Sequence, residues 1–488
     1  MKKSGTDLRS ETDGTVCPLS SAPAFAVFLG ICGAFFADGA GCSFCVSLSA
    51  AVFLSAAWIL CGSRRLLENW LSLFALALFF VLIVSSVSLY RIHLKPEMPG
   101  TLDCTGVVRS VRQWGEKRCA VLISTEYGRV AAYTDLEHAP ETGARVRLEA
   151  AVFDFKKAAK QGGFDEEKFW KGKGAAKKCT LFKLETAGRP NAFYRMRNAL
   201  DRRIKERLPE RCAQYMAAIT LGERSRELSA LHVKSGTSHL LAVSGFHVGI
   251  LAGIGYFIFR RKKYRIFGIS LLVWTYVLLS GCAPGALRAA FMLQFALLSL
   301  CAGAPVSPFN SVSLAGIILL LINPFSYYDA GFRLSVLSAL FITSCAGNYG
   351  FVSASLVSML VWFVTAAQSA FSFKQIPAAG LFMNVFAVPV FALLFPLLAV
   401  CSLPALFGLP FGGHIAGFCE YLLEGWEIFA DAISCAVPWT FRYSAVMNAV
   451  SAFLFFFFAA DVSGYGKNMR LFIACASAAI LVFCQTAQ

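Results

Sequence analysis

SHLLAVSGFHVGIL, residues 238–251, opens an apolar run that continues to Phe259 and is long enough to cross a bilayer as a helix. Its first half carries two histidines, a serine and several glycines. On one continuous helix His239 and His247, eight residues apart, lie about 80° apart, and Ser244 and His247 share a face. Gly245, Gly249 and Gly253 form a G-x-x-x-G-x-x-x-G ladder, which lets a second helix approach closely. A Ser-Gly pair weakens a helix at membrane depth, so a kink or break is expected near Ser244. Polar groups there are costly and face a cavity or a partner helix. The plainer alternative is a packed helix with two satisfied imidazoles.

Working outward, the 488 residues are 57% hydrophobic and only 15% charged, against roughly 25% in soluble domains. With a mean hydropathy of +0.61, this is the composition of a polytopic α-helical membrane protein. The net charge of +16 divides between the positive-inside signal of loops and one soluble region able to attract a polyanion. The 17 cysteines lie mostly in apolar runs and support neither a zinc site nor a disulfide framework. Cys104, Cys119, Cys179 and Cys212 fall in or beside the soluble region, and an extracytoplasmic location leaves a disulfide among them open.

Lys2 and Lys3 precede a polar stretch, and the first apolar run starts near Ala22, which reads as a cytoplasmic tail. Membrane segments are expected at 22–36, 42–61 and 70–90, with Arg64 and Arg65 cytoplasmic and the chain after Tyr90 outside. From 91 to about 184 the chain reads as soluble, with β-patterned runs at 102–111, 118–124, 128–134 and 145–153. Val146, Leu148 and Ala150 alternate with Arg145, Arg147 and Glu149. Four or five such strands suit an inserted small β-barrel such as an OB-fold.

Nine lysines occupy 156–183, interleaved with Phe155, Phe164, Phe169, Trp170 and Phe182. Lysines neutralise phosphates and aromatics stack on bases, so Lys156, Lys157, Lys160, Phe164, Lys168, Trp170, Lys171 and Lys173 are candidate DNA-binding residues. Asp165, Glu166 and Glu167 dilute this patch, and a solvated linker anchored by its aromatics is the alternative. Residues 191–211 carry Met196, Leu200, Ile204 and Leu208 at spacing four, with Arg195, Arg197, Arg202, Arg203, Lys205 and Arg207 on the other faces, a helix expected flat on the membrane surface. RRKKYR, residues 260–265, is the strongest cytoplasmic signal. Further segments are expected near 266–280, 287–301, 312–322, 332–345, 351–367, 380–403, 444–460 and 471–484, some too short to span alone, for nine to twelve in all. In 413–438, Glu420, Glu424, Glu427 and Asp431 form one acidic stripe, expected to face water or an internal aqueous cavity.

Intramembrane cations are the natural counter-charges for a polyanion. Arg288 follows Pro284 and Gly285 with nothing acidic near it in sequence, and snorkelling to an interface is its alternative role. Arg333 lies four residues after Asp329, one turn away and in reach of an ion pair. Asn323, Asn384 and Gln294 are candidate pore-lining or helix-bonding amides. Ser244 with His247 invites an intramembrane serine hydrolase, but the serine is not in G-x-S-x-G and no positioned acid is evident. Six histidines, at 93, 138, 232, 239, 247 and 414, do not cluster at metal-ligand spacing, and no cofactor is expected. There is no G-x-x-x-x-G-K-[ST] loop to power transport.

The stretch at 238–251 resembles the signature of the ComEC family of competence proteins, the inner-membrane channels for DNA uptake. LGERS at 221–225, GCAPGALRAAFM at 281–292, DAGFRLSVLSA at 329–339, MNVFAVP at 383–389 and QGGFDEEKFWKGKG at 161–174 are similar to further elements of that family in the same order. The resemblance implies a channel for single-stranded DNA with an OB-like barrel outside the plasma membrane. It implies signature positions at His239, Ser244, Gly245, His247, Gly249, Pro284, Arg288, Gly331, Arg333, Asn384 and Pro389. Arginine at 333 departs from the family's usual glutamine. Many members end in a metallo-β-lactamase-like domain; this chain has no H-x-H-x-D-H run, so a nuclease is expected to be a separate protein. A cytoplasmic motor ATPase, DNA-receptor proteins and membrane lipid complete the expected partners. The expected division is 1–90 (tail and three membrane segments), 91–190 (barrel and lysine-rich linker), 191–236 (basic helix and connector) and 237–488 (channel core). The rival functions are a membrane serine hydrolase and a transporter of another polyanionic envelope polymer.

Overall fold

The computed structural model describes Ala24, Phe25, Phe28, Ile31 and Cys32, and residues 98–113, 117–156, 165–301, 307–345, 351–462 and 466–486. The expected segments at 42–61 and 70–90, the tail, and Lys157, Lys160 and Phe164 lie outside these.

Five strands form a closed barrel: β1 (Thr101–Gln113), β2 (Arg118–Thr125), β3 (Gly128–Asp135), β4 (Arg145–Phe153) and β5 (Lys177–Gly188), in the order β1-β2-β3-β5-β4. β1 closes the barrel by pairing with both β2 and β4, and it bends at an irregularity between Val108 and Ser110. β3 and β5 are parallel; the other pairs are antiparallel. The alternation of the sequence explains the fill. Leu102, Cys104, Val108, Val146, Leu148 and Ala150 are buried in one core, while Thr101, Asp103, Arg145 and Arg147 point out. This is the small Greek-key barrel expected from the strand pattern. Cys104, Cys119, Cys179 and Cys212 are free thiols, so no disulfide joins them. Burial pushes the Cys179 thiol up to about 12.

Behind the barrel, α2 (Ala192–Arg207) is capped by Asn191, whose side chain accepts from the Tyr194 N–H. It is not simply a membrane-surface helix. Asn198 donates to the Thr142 carbonyl, Arg202 pairs with Glu141, and Gly143, at φ +86°, lies against the Tyr194 ring where any side chain would clash. α3 (Glu210–Leu221) and α4 (Arg226–Lys234) follow.

The helical core comprises α5 (Gly245–Ile258), α6 (Lys262–Leu279), α7 (Pro284–Cys301), α8 (Pro308–Ile322), α9 (Ala330–Cys345), α10 (Phe351–Phe373), α11 (Ala379–Leu406), α12 (Gly412–Ala436), α13 (Ala445–Val462) and α14 (Lys467–Thr486). Among the described residues four helices are long and apolar enough to cross a membrane, within α7, α10, α11 and α13, and four shorter apolar ones accompany them. α11 continues through Pro389, Pro396 and Pro404. Phe25, Phe28 and Ile31 pack into a centre built by α8, α9 and α13, with the Phe25 and Phe309 rings 4.7 Å apart.

The acidic stripe of α12 is only partly open: Glu424 and Asp431 keep 43% and 54% of their side chains exposed, while Glu420 and Glu427 are largely covered. Glu420 accepts the backbone N–H groups of Arg211 (3.1 Å) and Cys212 (2.9 Å), closing the N-terminus of α3. Glu427 takes the Arg211 guanidinium at 2.9 Å, and Asp431 takes Lys234 at 2.6 Å. The stripe is the surface on which α3 and α4 dock.

Candidate functional site at a broken helix

The signature does not run as one helix. Residues 238–244 are non-helical, and α5 starts at Gly245 with Ser244 extended (φ −125°, ψ 172°) as its N-cap. His247 Nδ1 accepts the Ser244 backbone N–H at 3.1 Å, with the Ser244 hydroxyl at 3.2 Å. A backbone N–H only donates, so Nδ1 is the acceptor and the ring proton sits on Nε2. Histidine here takes the place of the usual Glu or Gln of a capping box. The buried Nε2 has no partner, and the ring rests on Phe395 with centroids 5.0 Å apart. Among the described residues no third group orients the imidazole. The pair caps a helix and lacks the acid of a nucleophile triad.

The break meets α7 and α9. A Cβ on Gly285 would lie 3.0 Å from the Val243 carbonyl oxygen and 3.5 Å from Ser335 Oγ. Arg288 donates from Nε to Ser335 Oγ at 2.9 Å, and its Nη2 is 3.6 Å from where a Cβ on Gly245 would stand. Arg288 is 8% exposed and pairs with no carboxylate among the described residues. A buried guanidinium, the N-terminus of α5 and an imidazole N–H without a partner among the described residues therefore share one break between helices. Such a set attracts anions, as the half-helix termini of membrane transporters do.

Upstream, the chain enters this break over tight crossings. Gly236, at φ +73°, lies so close to α11 that a Cβ would fall 2.6 Å from Gly380 Cα. Thr237 is fixed by His232, which also contacts the Tyr215 hydroxyl (2.7 and 2.9 Å). Burial lowers His232 to about 4, so it is neutral near pH 7. His239, Arg224 and Cys282 are exposed.

LGERS packs on the α6–α7 turn that leads to Arg288. Gly222, at φ +71°, leaves no room for a Cβ beside the Ser280 carbonyl oxygen. The buried Arg197 ties both sides, donating to the carbonyls of Leu221 (2.9 Å) and Leu279 (3.1 Å) and pairing with Glu223 (3.0 Å). Burial, and Arg112 of the barrel nearby, hold the Arg224 guanidinium below its usual range. Arg224 lines a cleft of about 420 Å³ with Lys205, Glu210, Gln214, Glu223 and Ser225.

The lysine-rich linker is a joint. α1 (Glu166–Gly172) sits on the 3-10 turn Pro324–Tyr328 between α8 and α9. Lys173 pairs with Asp329 at 2.6 Å, and the Asn323 amide donates to the carbonyls of Lys171 and Gly172. Lys168 and Lys171 lie over the rings of Tyr328 and Phe325, and Lys171 pairs with Glu167. Trp170 is 3% exposed and donates to the Tyr133 hydroxyl at 2.9 Å, so it anchors α1 to the barrel and is no open stacking platform. Glu166 is the hub of that anchor. Burial works to raise its carboxyl, but Lys178, the Lys156 N–H and Tyr133 outweigh it and lower it. Of the described lysines proposed for DNA, Lys156 and Lys168 stay exposed.

A family model described as "Competence protein" matches residues 219–463, half of the chain. The chain belongs to the competence protein family. It is 27% identical over 361 residues to ComE operon protein 3 of Bacillus subtilis (strain 168), covering 68% of this chain and 45% of that protein. It is 26% identical over 276 residues to Recombination protein 2 of Haemophilus influenzae (strain ATCC 51907 / DSM 11121 / KW20 / Rd), covering 53% of this chain and 32% of that one. The chain thus spans less than half the length of these relatives. No solved structure matches.

Within this competence protein the signature residues form two groups. Ser244, Gly245, His247, Pro284 and Arg288 gather at the break. Asn384 lies eleven residues before Phe395 on α11, roughly 16 Å along the axis, with its buried Oδ1 unpartnered. Pro389 is exposed on the same helix, and Gly331 donates its N–H to Asp329. Gly245 lies against Ala289 of α7, whereas Gly249 and Gly253 have nothing among the described residues within 4 Å of an added Cβ; Gly255 packs against Ile269. Arg333 makes no pair with Asp329: its buried Nε is unpartnered and its guanidinium lies 5.9 Å from the Phe371 ring centre. Ser335, Arg197 and His232 went unnoticed in the sequence because only their distant partners reveal them.

Proposed function

We propose that this competence protein passes single-stranded DNA through the bacterial plasma membrane during DNA uptake. The observation that carries this reading is Arg288: a buried cation with no carboxylate partner among the described residues, beside the N-terminus of a helix that starts inside the apolar core. A static pairing role for an arginine at this depth calls for an acid, and a passing phosphodiester supplies the missing charge. The names of its relatives, an operon protein of competence and a recombination protein, agree with it.

In this reading residues 91–236 are extracytoplasmic, the N-terminus is cytoplasmic, the barrel with its linker (91–190) and the connector (191–236) sit over the entrance, and 237–488 form the conduit. Residues 1–90 supply the tail and three membrane segments. Lys156 and Lys168, with Lys157, Lys160 and Phe164 of the same linker, are the lysine-patch residues retained as DNA contacts. A separate motor ATPase pulls the strand, receptor proteins deliver it, and a separate nuclease makes it single-stranded. Deleting the protein should abolish entry of labelled DNA into the cytoplasm while surface binding persists. Unchanged internalisation refutes the proposal.

A further inference from the structure

Two arginines stand in the apolar part of the core, and the second owes its freedom to the barrel. Asp329 precedes α9, four residues before Arg333, in position for an ion pair. Each of its carboxylate oxygens already accepts one hydrogen bond. Oδ1 accepts the Gly331 N–H at 3.0 Å, and Oδ2 accepts Lys173 at 2.6 Å, from the end of α1 on the barrel linker. This pair is largely shielded, the side chains being 23% and 12% exposed. Among the described residues Arg333 is left with a buried Nε without a partner and with the Phe371 ring beside it.

We propose that Lys173 is a positioning residue that acts through Asp329: by occupying the carboxylate when the barrel is docked, it keeps Arg333 available as a second cation for phosphodiester. This rests on the DNA-passage reading above. It makes docking of the barrel and readiness of the core one event, since the same ammonium makes the joint and removes the competitor. Removing Lys173 leaves other contacts of the joint in place, namely the Asn323 amide on the Lys171 and Gly172 carbonyls and Lys168 over Tyr328. Asp329 Oδ2 is then free to take Arg333.

The test is a two-by-two set in the full chain: Lys173→Gln, Asp329→Asn and the double variant, with Arg333→Gln as reference. Asparagine keeps a carbonyl for the Gly331 N–H but has no charge to hold an arginine. We expect Lys173→Gln and Arg333→Gln each to lower DNA uptake by about tenfold, the effect of about 1.4 kcal/mol. The double variant should return to within about threefold of the parent. A joint that serves only to dock the barrel gives no such rescue, because both of its charges are gone. A double variant as poor as Lys173→Gln, or Arg333→Gln at parental uptake, overturns the inference. Binding of a labelled oligothymidylate to the same proteins in nanodiscs reads the pattern without transport. A parent that takes up no DNA sinks the DNA-passage reading. A parent that does, without rescue, sinks this inference alone.

Discussion

Replacing Arg288 with glutamine separates a functional cation from a structural one. The guanidinium is 8% exposed and holds only Ser335 and Met292. Burying a charge without a partner disfavours the fold, so removing it relieves that cost, while the lost charge-assisted hydrogen bond to Ser335 costs about 1.5–3 kcal/mol. The two effects oppose each other, and the melting temperature should move by only a few degrees. Transport has no such offset. A phosphate at ~5 Å from the guanidinium gains about 3 kcal/mol at an effective dielectric constant of about 20, or roughly two orders of magnitude in occupancy. Uptake of labelled DNA should fall by about that factor, and Arg288→Lys should recover part of it. Thermal unfolding of purified protein and uptake in cells carrying equal amounts of each variant make the comparison. Uptake that falls only in step with stability, or that is unchanged, refutes the reasoning.

Three more outcomes follow from the same geometry. Gly236→Ala should reduce uptake by about tenfold, since a left-handed alanine costs about 1–2 kcal/mol and its Cβ meets Gly380, whereas Gly249→Ala, with open space around it, should be silent in the same assay. His232 is held at about 4 in the fold against 6.5 when unfolded, so its share of stability is complete above about pH 6.5 and is lost as pH falls toward 4; a difference of about 3 kcal/mol across that window should vanish in His232→Asn, measured as urea midpoints against pH. Trp170→Ala should cost the barrel about 3–5 kcal/mol and expose it to protease, while Phe182→Ala, at a ring 70% exposed, should leave protection unchanged.

The barrel was legible because a strand with one buried face writes its period into the sequence. β1 and β4 alternate Leu102, Cys104 and Val146, Leu148 against polar neighbours, and the expected runs lie within a few residues of the strands. β5 was hidden among lysines because its fully buried contribution is Cys179 alone, with Leu181 and Leu184 half-buried. The break at Ser244 was legible from local weakness of the backbone. What lay outside local rules was not. Spacing put Arg333 within reach of Asp329, but the lysine that took the acid comes from 156 residues away. The acidic stripe on α12 was visible, yet Arg211, its partner, is set by tertiary docking. Composition marked Trp170 as an aromatic in a basic patch and said nothing of which way its ring points. Glycine spacing suggested a helix contact; among the described residues Gly245 makes one, with Ala289, and Gly249 and Gly253 make none.

The most direct measurement places a single reactive thiol at the break. Ser244→Cys, in the full chain with the other cysteines replaced, is treated in membranes with two thiosulfonate reagents of similar size, one anionic and one cationic. A hydrated, cationic passage predicts that both react and that the anionic reagent is faster by about tenfold, an advantage that Arg288→Gln abolishes. A thiol that neither reagent reaches, or one that the cationic reagent labels faster, contradicts the account.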